Sequence, residues 1–250
     1  MPKIHSTAVV SPNAHIGEGS EIGPFSIIHP GVEISKNTFI GSNCEIGIFT
    51  ENSSSQNLII GSNSYVRSHS IIYSGSTFGN NLYTGHGVVI RENCKIGDNA
   101  QIGTNSDLQG DLEIGDYVRV HSNVFIAKRA KIHDFVWLFP GVIITDDPHP
   151  PSHISLGVTI KKFAVIAARS TILPGVTIGS GALVGAHSLV NCDVPNETLA
   201  IGVPVVIKNS LREISIFNSP KVAAYPWRKH FHRGYPEEVV MDWINEFKNS

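Results

Sequence analysis

The sequence predicts an all-β solenoid, a chain that turns after every short strand and winds around a continuous apolar axis. Three observations lead there. Aliphatic residues return at every sixth position, turn formers fill the places between them, and 23 glycines and 14 prolines against 8% aromatic residues argue against long helices. The 250 residues are 41% hydrophobic and 16% charged, enough for one sizeable core.

The six-residue beat runs from Ile4 to Ile46, resumes at Ile60, continues without a slip to Ile144, and returns from Ile160 to Val190. Of these 29 positions 28 are apolar, where composition alone would give about 12. The exception is Thr84. Four residues after each aliphatic stands something small or branched, such as Ala8, Ser20, Thr38, Cys44, Ala100 and Ser170. The remaining places hold runs such as Gly17-Glu18-Gly19 and Gly97-Asp98-Asn99, which tolerate positive φ and local side-chain hydrogen bonds. Each hexad therefore reads as a short β-branched strand ending in a tight corner.

Two insertions interrupt the beat, over 47–59 and 145–159, and polar interruptions of a regular scaffold are where function tends to sit. The first, with Glu51-Asn52-Ser53-Ser54-Ser55-Gln56-Asn57, reads as a mobile connector. The second is stiffened by Pro148, Pro150 and Pro151 and carries Asp147 and His149. The solenoid occupies 1–194, and 195–250 forms an exit segment and a C-terminal cap. Tyr225 to Arg233 is aromatic and basic, and Pro236 opens a helix with Glu237 and Glu238 in its first turn. Val239, Val240, Trp243, Ile244 and Phe247 share one face of it. A cap over the open end of the coil, or against another subunit, is expected, because exposed strand edges invite aggregation.

A formal net charge of -2 and a pI of about 6.6 supply no global attraction to nucleic acid or anionic membranes, so neither is expected as a partner. No apolar run approaches the roughly 20 residues of a membrane span, and Met1 to His5 lacks the apolar stretch of a secretory signal. Cys44, Cys94 and Cys192 are far apart and odd in number. Free thiols in a cytoplasmic protein are the expectation.

The pattern of aliphatic, Gly-like, two free, small and one free position resembles the hexapeptide-repeat acyltransferases over about Ile4 to Val190. The resemblance implies a left-handed parallel β-helix with three hexads per coil, here about ten coils, with a short C-terminal helical extension. At a spacing of about 4.8 Å per coil the prism would be on the order of 45 Å long. It also implies a homotrimer with sites between subunits, acetyl-CoA as acyl donor, no metal, and a second insertion that reaches toward a neighbouring subunit's site, where Asp147 and His149 would meet substrate.

With 18 residues per coil, His69, His86 and His121 fall on one corner, because Val66, Thr84 and Val120 before them are separated by multiples of 18. Asn105 and Asn123 share that edge. Acyl transfer needs a base beside the nucleophile, and the stretch Tyr83 to Asn93 resembles an active-site segment of sugar-modifying members. His86 is therefore the first candidate for the base and His121 the second, with His69, Arg91, Glu92, Asn105 and Asn123 about the substrate. The resemblance further implies that the coenzyme lies along the C-terminal coils. Ala168, Gly185 and Ala186 would admit the pantetheine arm, and Lys161, Lys162, Arg169 and Lys208 would meet its phosphates.

The leading expectation is N-acetylation of a nucleotide-linked amino sugar for a surface polysaccharide, with O-acetylation of a glycan as the runner-up. The stretch from Ala14 to Phe25 also resembles lipid A acyltransferases. From other classes come a zinc carbonic anhydrase and a non-catalytic scaffold. For the former, ligands would have to lie about 2 Å from one ion, yet histidines one and three coils apart in a single chain are separated by roughly 5 to 15 Å.

Overall fold

Strands of two to four residues, most followed by a corner, wind into three parallel sheets that form the faces of a prism. The structure, a computed structural model, describes residues 1–208, 211–232 and 234–248. Arg233, the last member of the basic tail cluster, lies outside the described residues. Up to Val190, partners on each face are 18 residues apart wherever no insertion intervenes, as in Lys3↔Glu21 and Tyr83↔Gln101, and the last coil shortens to 16, as in Leu183↔Leu199. The first face has 12 strands, of which the last, Val205–Lys208, folds back antiparallel on Leu199–Gly202. Ten strands make the second face and nine the third. Leu199–Gly202 pairs in parallel with Leu183–Val184, so the coil continues past residue 194, where the sequence placed its end.

The beat marks the core. Ile28, Ile34, Ile40, Ile46, Ile60 and Ile90 are at most 1% exposed, and the other aliphatics stack above and below them as one column. Each such side chain contributes about 1.5–3 kcal/mol of burial. The small residues point inward at the corners, where Ser26 Oγ donates to the carbonyl of Gly41 at 2.6 Å and Ser170 Oγ to that of Gly185 at 2.8 Å. Thr84 has no exposure, and its Oγ1 accepts the N–H of Arg67 at 3.0 Å. Its hydroxyl therefore completes a rung of the backbone ladder and does not face substrate.

Corners impose a left-handed residue once per turn. Asn43, Asn99, Asn105 and Asn123 take φ of 54–59°, and asparagine does so at less cost than other non-glycine residues. At the third corner, between the third and first faces, Asn81 Nδ2 donates to Asn99 Oδ1 at 3.0 Å. Further along the same corner the amides give way to Tyr117, Phe135 and Phe163, stacked with centroids 5.1 Å apart. That change marks where the C-terminal tail docks. Trp227 and Trp243 pack with Phe135, Val165 and Leu183, and Trp227 Nε1 donates to the Phe163 carbonyl at 2.9 Å. The helix α1 (Glu237–Lys248) buries Trp243 there. The cap thus lies on the flank of the solenoid, not over its end, because the flank offers the aromatic ladder.

Both insertions leave from the second corner, between the second and third faces. The first is pinned rather than loose: Thr50 Oγ1 donates to Glu92 Oε1 at 2.6 Å, the N–H of Ser54 to Asn93 Oδ1 at 2.8 Å, and Asn93 Nδ2 to the Asn52 carbonyl at 2.9 Å. Glu92 is 3% exposed. Burial alone would raise its pKa, but the bonds from Thr50 and Arg91 outweigh that and hold it below the usual carboxylate range. A carboxylate with a depressed folded pKa contributes stability above its unfolded pKa that is lost as pH falls through the folded one. Glu92→Ala should cost about 1–3 kcal/mol and expose 47–57 to proteolysis. An unchanged cleavage rate in that segment would refute the assignment.

Candidate functional site

The three histidines do share the first corner, between the first and second faces, but they are not equivalent. His69 and His86 are exposed, whereas His121 is half-buried. Its ring stacks on Phe139 with centroids 4.8 Å apart and leans on Trp137 at 5.8 Å. Burial, and secondarily the positive charge of Arg119, lower its pKa below the ordinary histidine value. At neutral pH the ring is therefore uncharged and able to accept a proton. Close stacking of coils sets its place. A Cβ on Gly103 would lie 2.4 Å from the backbone carbon of His121, so only glycine allows the two strands' ends to approach. Ser106 Oγ donates to the His121 carbonyl at 2.9 Å and fixes the same turn.

His121 opens onto a groove of about 250 Å³ on the outside of the first face, whose lining includes Arg67, Tyr83, Thr104, Arg119 and Trp137. His86 does not line it. A depression of about 540 Å³ on the third face, by contrast, alternates Lys95, Glu113 and Lys131, and its one imidazole, His133, is exposed. The first-corner groove is the better candidate, since a base of suitable pKa meets an open cleft there.

The other expected site residues divide among the edges of the prism. Asn105, Asn123, Ala168, Arg169, Gly185 and Ala186 follow first-face strands and so share the corner of His121. Asn105, Asn123 and Arg169 have φ of 56–59°, so each also serves as the left-handed turn residue. His69 does likewise at 64°. Arg91, Glu92, Asp147 and His149 lie at the second corner. Glu92 is enclosed, with Arg91 Nε donating to its Oε2 at 3.1 Å. Asp147 organises its own loop: its carboxylate accepts from Ser152 Oγ at 2.6 Å and from the N–H groups of Ser152 and His149 at 2.7 and 2.9 Å. These bonds, with the Ser152 hydroxyl foremost, depress its pKa. His149 is exposed.

Lys161 and Lys162 stand at the third corner, the latter with its ammonium over the rings of Phe135 and Phe163 at 5.3 and 5.1 Å. Lys208 ends the antiparallel strand of the first face. Within one chain, then, the second- and third-corner groups do not join His121. Arg67, Thr104, Arg119, Trp137 and Phe139 escaped the sequence reading. Arg119 and Trp137 could have been found by following the residue just before each first-face aliphatic, coil by coil.

All three cysteines are free; Cys44 and Cys94 are buried and Cys192 is exposed. Burial pushes the Cys94 thiol up to about 12, which leaves it inert. Among the described residues no three His, Cys, Asp or Glu side chains converge as a metal site, and no helix is long and apolar enough to cross a membrane.

Repeat, faces and groove define a hexapeptide β-helix with a candidate site on its first corner. The family described as bacterial transferase hexapeptide (six repeats) matches residues 13–48 and 93–128, and the hexapeptide repeat of succinyl-transferase matches 155–191. Over these three stretches the chain is similar to hexapeptide-repeat transferases. It is similar to a serine acetyltransferase of Buchnera aphidicola, 40% identical over 73 residues that make up 24% of this chain and 27% of that protein. A galactoside O-acetyltransferase of Escherichia coli is 34% identical over 88 residues, 32% of this chain and 42% of its own. The chain thus spans well under half the length of these curated relatives. Among solved structures, a UDP-N-acetylglucosamine acyltransferase from Campylobacter jejuni superposes with a TM-score of 0.62 at 17% identity, covering 98% of this chain and 83% of that one. At that identity the likeness concerns the fold.

Proposed function

We propose that the chain is an acetyl-CoA-dependent acetyltransferase acting on the amine of a nucleotide-linked amino sugar, with His121 as general base. The observation that carries the reading is the half-buried, uncharged imidazole of His121 at the edge of a groove. His121 takes the proton as the amine nitrogen bonds to the thioester carbonyl carbon, and returns it to the coenzyme sulfur as the carbon–sulfur bond breaks. His86, more exposed and outside the groove, becomes a secondary candidate.

The pantetheine arm would run along the first corner past Arg169, Ala168, Gly185 and Ala186, three coils or about 14 Å in the C-terminal direction. Small residues suit it because the arm must approach the backbone. The Asp147–His149 loop and Lys161 and Lys162 stand on other edges, so a site that uses them needs a second chain. That supports sites between subunits, which we assign to a homotrimer; the reading places the enzyme in the cytoplasm, in surface polysaccharide synthesis. O-acetylation is the second reading, favoured by the similarity to the Escherichia coli galactoside O-acetyltransferase. The test is release of free coenzyme thiol from acetyl-CoA across a panel of nucleotide-linked amino sugars, free amino sugars and glycosides. Turnover confined to glycosides would replace the first reading by the second.

A further inference from the structure

Arg119 and Trp137 stand on neighbouring rungs of the first face, each on the outward side just before a buried aliphatic, Val120 or Leu138. On an open sheet face two such long side chains would sample many rotamers. The tail holds them instead. Arg119 Nη2 donates to the Gly234 carbonyl at 2.7 Å, and its guanidinium lies 4.8 Å from the ring centroid of Trp137 and 4.6 Å from that of Tyr235. Trp137 Nε1 donates to the Tyr235 hydroxyl at 2.6 Å. One tyrosine of the cap thus touches both residues.

Both residues also line the groove of His121, and Tyr235 does not. Trp137 leans on the His121 ring at 5.8 Å, and the Arg119 charge adds to burial in lowering that ring's pKa. Arg67 is the other charged group on the groove lining. Tyr235 is held in turn by Trp243, Trp227 and Tyr117, with centroids at 4.9, 5.9 and 6.1 Å. A chain of contacts therefore runs from the docked helix α1 through Tyr235 to the imidazole. This tail lies beyond the stretches similar to hexapeptide-repeat transferases, which end at residue 191.

We propose that Tyr235 is a positioning residue of the acetyl-transfer site: from the cap it fixes the Arg119 guanidinium and the Trp137 ring against the groove, and so sets the surroundings in which His121 takes the acceptor's proton. The assignment rests on the reading of His121 as general base and adds that the site is complete only with the tail docked. The His121 titration, followed by nuclear magnetic resonance in the full chain and assigned by its loss in His121→Phe, supplies a probe that needs no acceptor. In the wild type it is expected below the ordinary 6.5. Tyr235→Phe keeps the ring but removes the acceptor of the Trp137 N–H. The titration should then move up toward 6.5, because the ring loses part of its cover and of the nearby positive charge.

In thiol-release assays with acetyl-CoA and nucleotide-linked amino sugars, Tyr235→Phe should lower kcat/KM about 2- to 10-fold, the span of one ordinary hydrogen bond. Its acid limb should move up with the titration. Adding Tyr235→Phe to Trp137→Phe should cost nothing further, because the two substitutions remove the same bond. An unmoved titration in folded Tyr235→Phe protein, or additive losses in the double variant, overturns the role of Tyr235. A moved titration with unchanged turnover overturns instead the reading of His121 as base.

Discussion

His121→Ala is expected to lower acetyl transfer about 10² to 10⁴-fold, the usual range for a lost general base, while acetyl-CoA still binds. His121→Phe should fall equally far, yet keep the stack on Phe139, which separates loss of the base from loss of packing. In the wild type, kcat/KM should rise with pH through an acid limb centred below the ordinary histidine value of 6.5, and that limb should vanish in both variants. The same ring links stability to pH. Because its folded pKa is lowered, the unfolded chain takes up the proton first, so the contribution is present above the unfolded value and is lost as pH falls through the folded one. His86→Ala, whose side chain does not line the groove, should retain near wild-type turnover. Wild-type rates in His121→Ala would return the role to His86 or to the substrate itself.

Trp243→Ala should be the most damaging change in the tail. Its side chain is 5% exposed, with the rings of Phe135, Phe163, Trp227 and Tyr235 at 4.9–5.8 Å. Truncating so enclosed an aromatic costs about 3–5 kcal/mol. The loss falls on cap docking, since the prism is held by its own ladders. Limited proteolysis should therefore release fragments beyond residue 211 while the β-sheet circular dichroism persists. Tyr235 packs against Arg119, a lining residue of the His121 groove, whose guanidinium lies 4.6 Å from its ring centroid. The acceptor KM should consequently rise as well. Intact protection of the tail in this variant would mean that the aromatic cluster does not hold the cap.

The axis of the solenoid was legible because one residue in six must be aliphatic to fill a one-column core, and a strict period has no other physical origin. The helix of the tail was equally legible from Pro236, Glu237 and the spacing of Val239, Trp243 and Phe247. Its docking place was less so. Tyr117, Phe135 and Phe163 stand at turn positions where sequence alone suggests only exposed corners, and only the stacking of coils turns them into a ladder. Likewise His69, His86 and His121 could be put on one corner by counting, but counting cannot say which imidazole is covered. That depends on Phe139 and Trp137, one coil further along. Glu92, in an active-site-like stretch, and Asp147, in the proline-rich loop, looked like substrate ligands; the structure engages both carboxylates within the chain, in pinning the first insertion and shaping the second.

The central claim is that the first-corner groove transfers an acetyl group to an amine. Incubating the protein with acetyl-CoA and nucleotide-linked amino sugars, then locating the new acetyl group by nuclear magnetic resonance, tests it most directly. The account predicts one acetyl group on the amine nitrogen, absent when His121→Phe replaces the wild type at matched time. An acetyl group on a hydroxyl, no acetyl gain on any acceptor, or undiminished product with His121→Phe would contradict it.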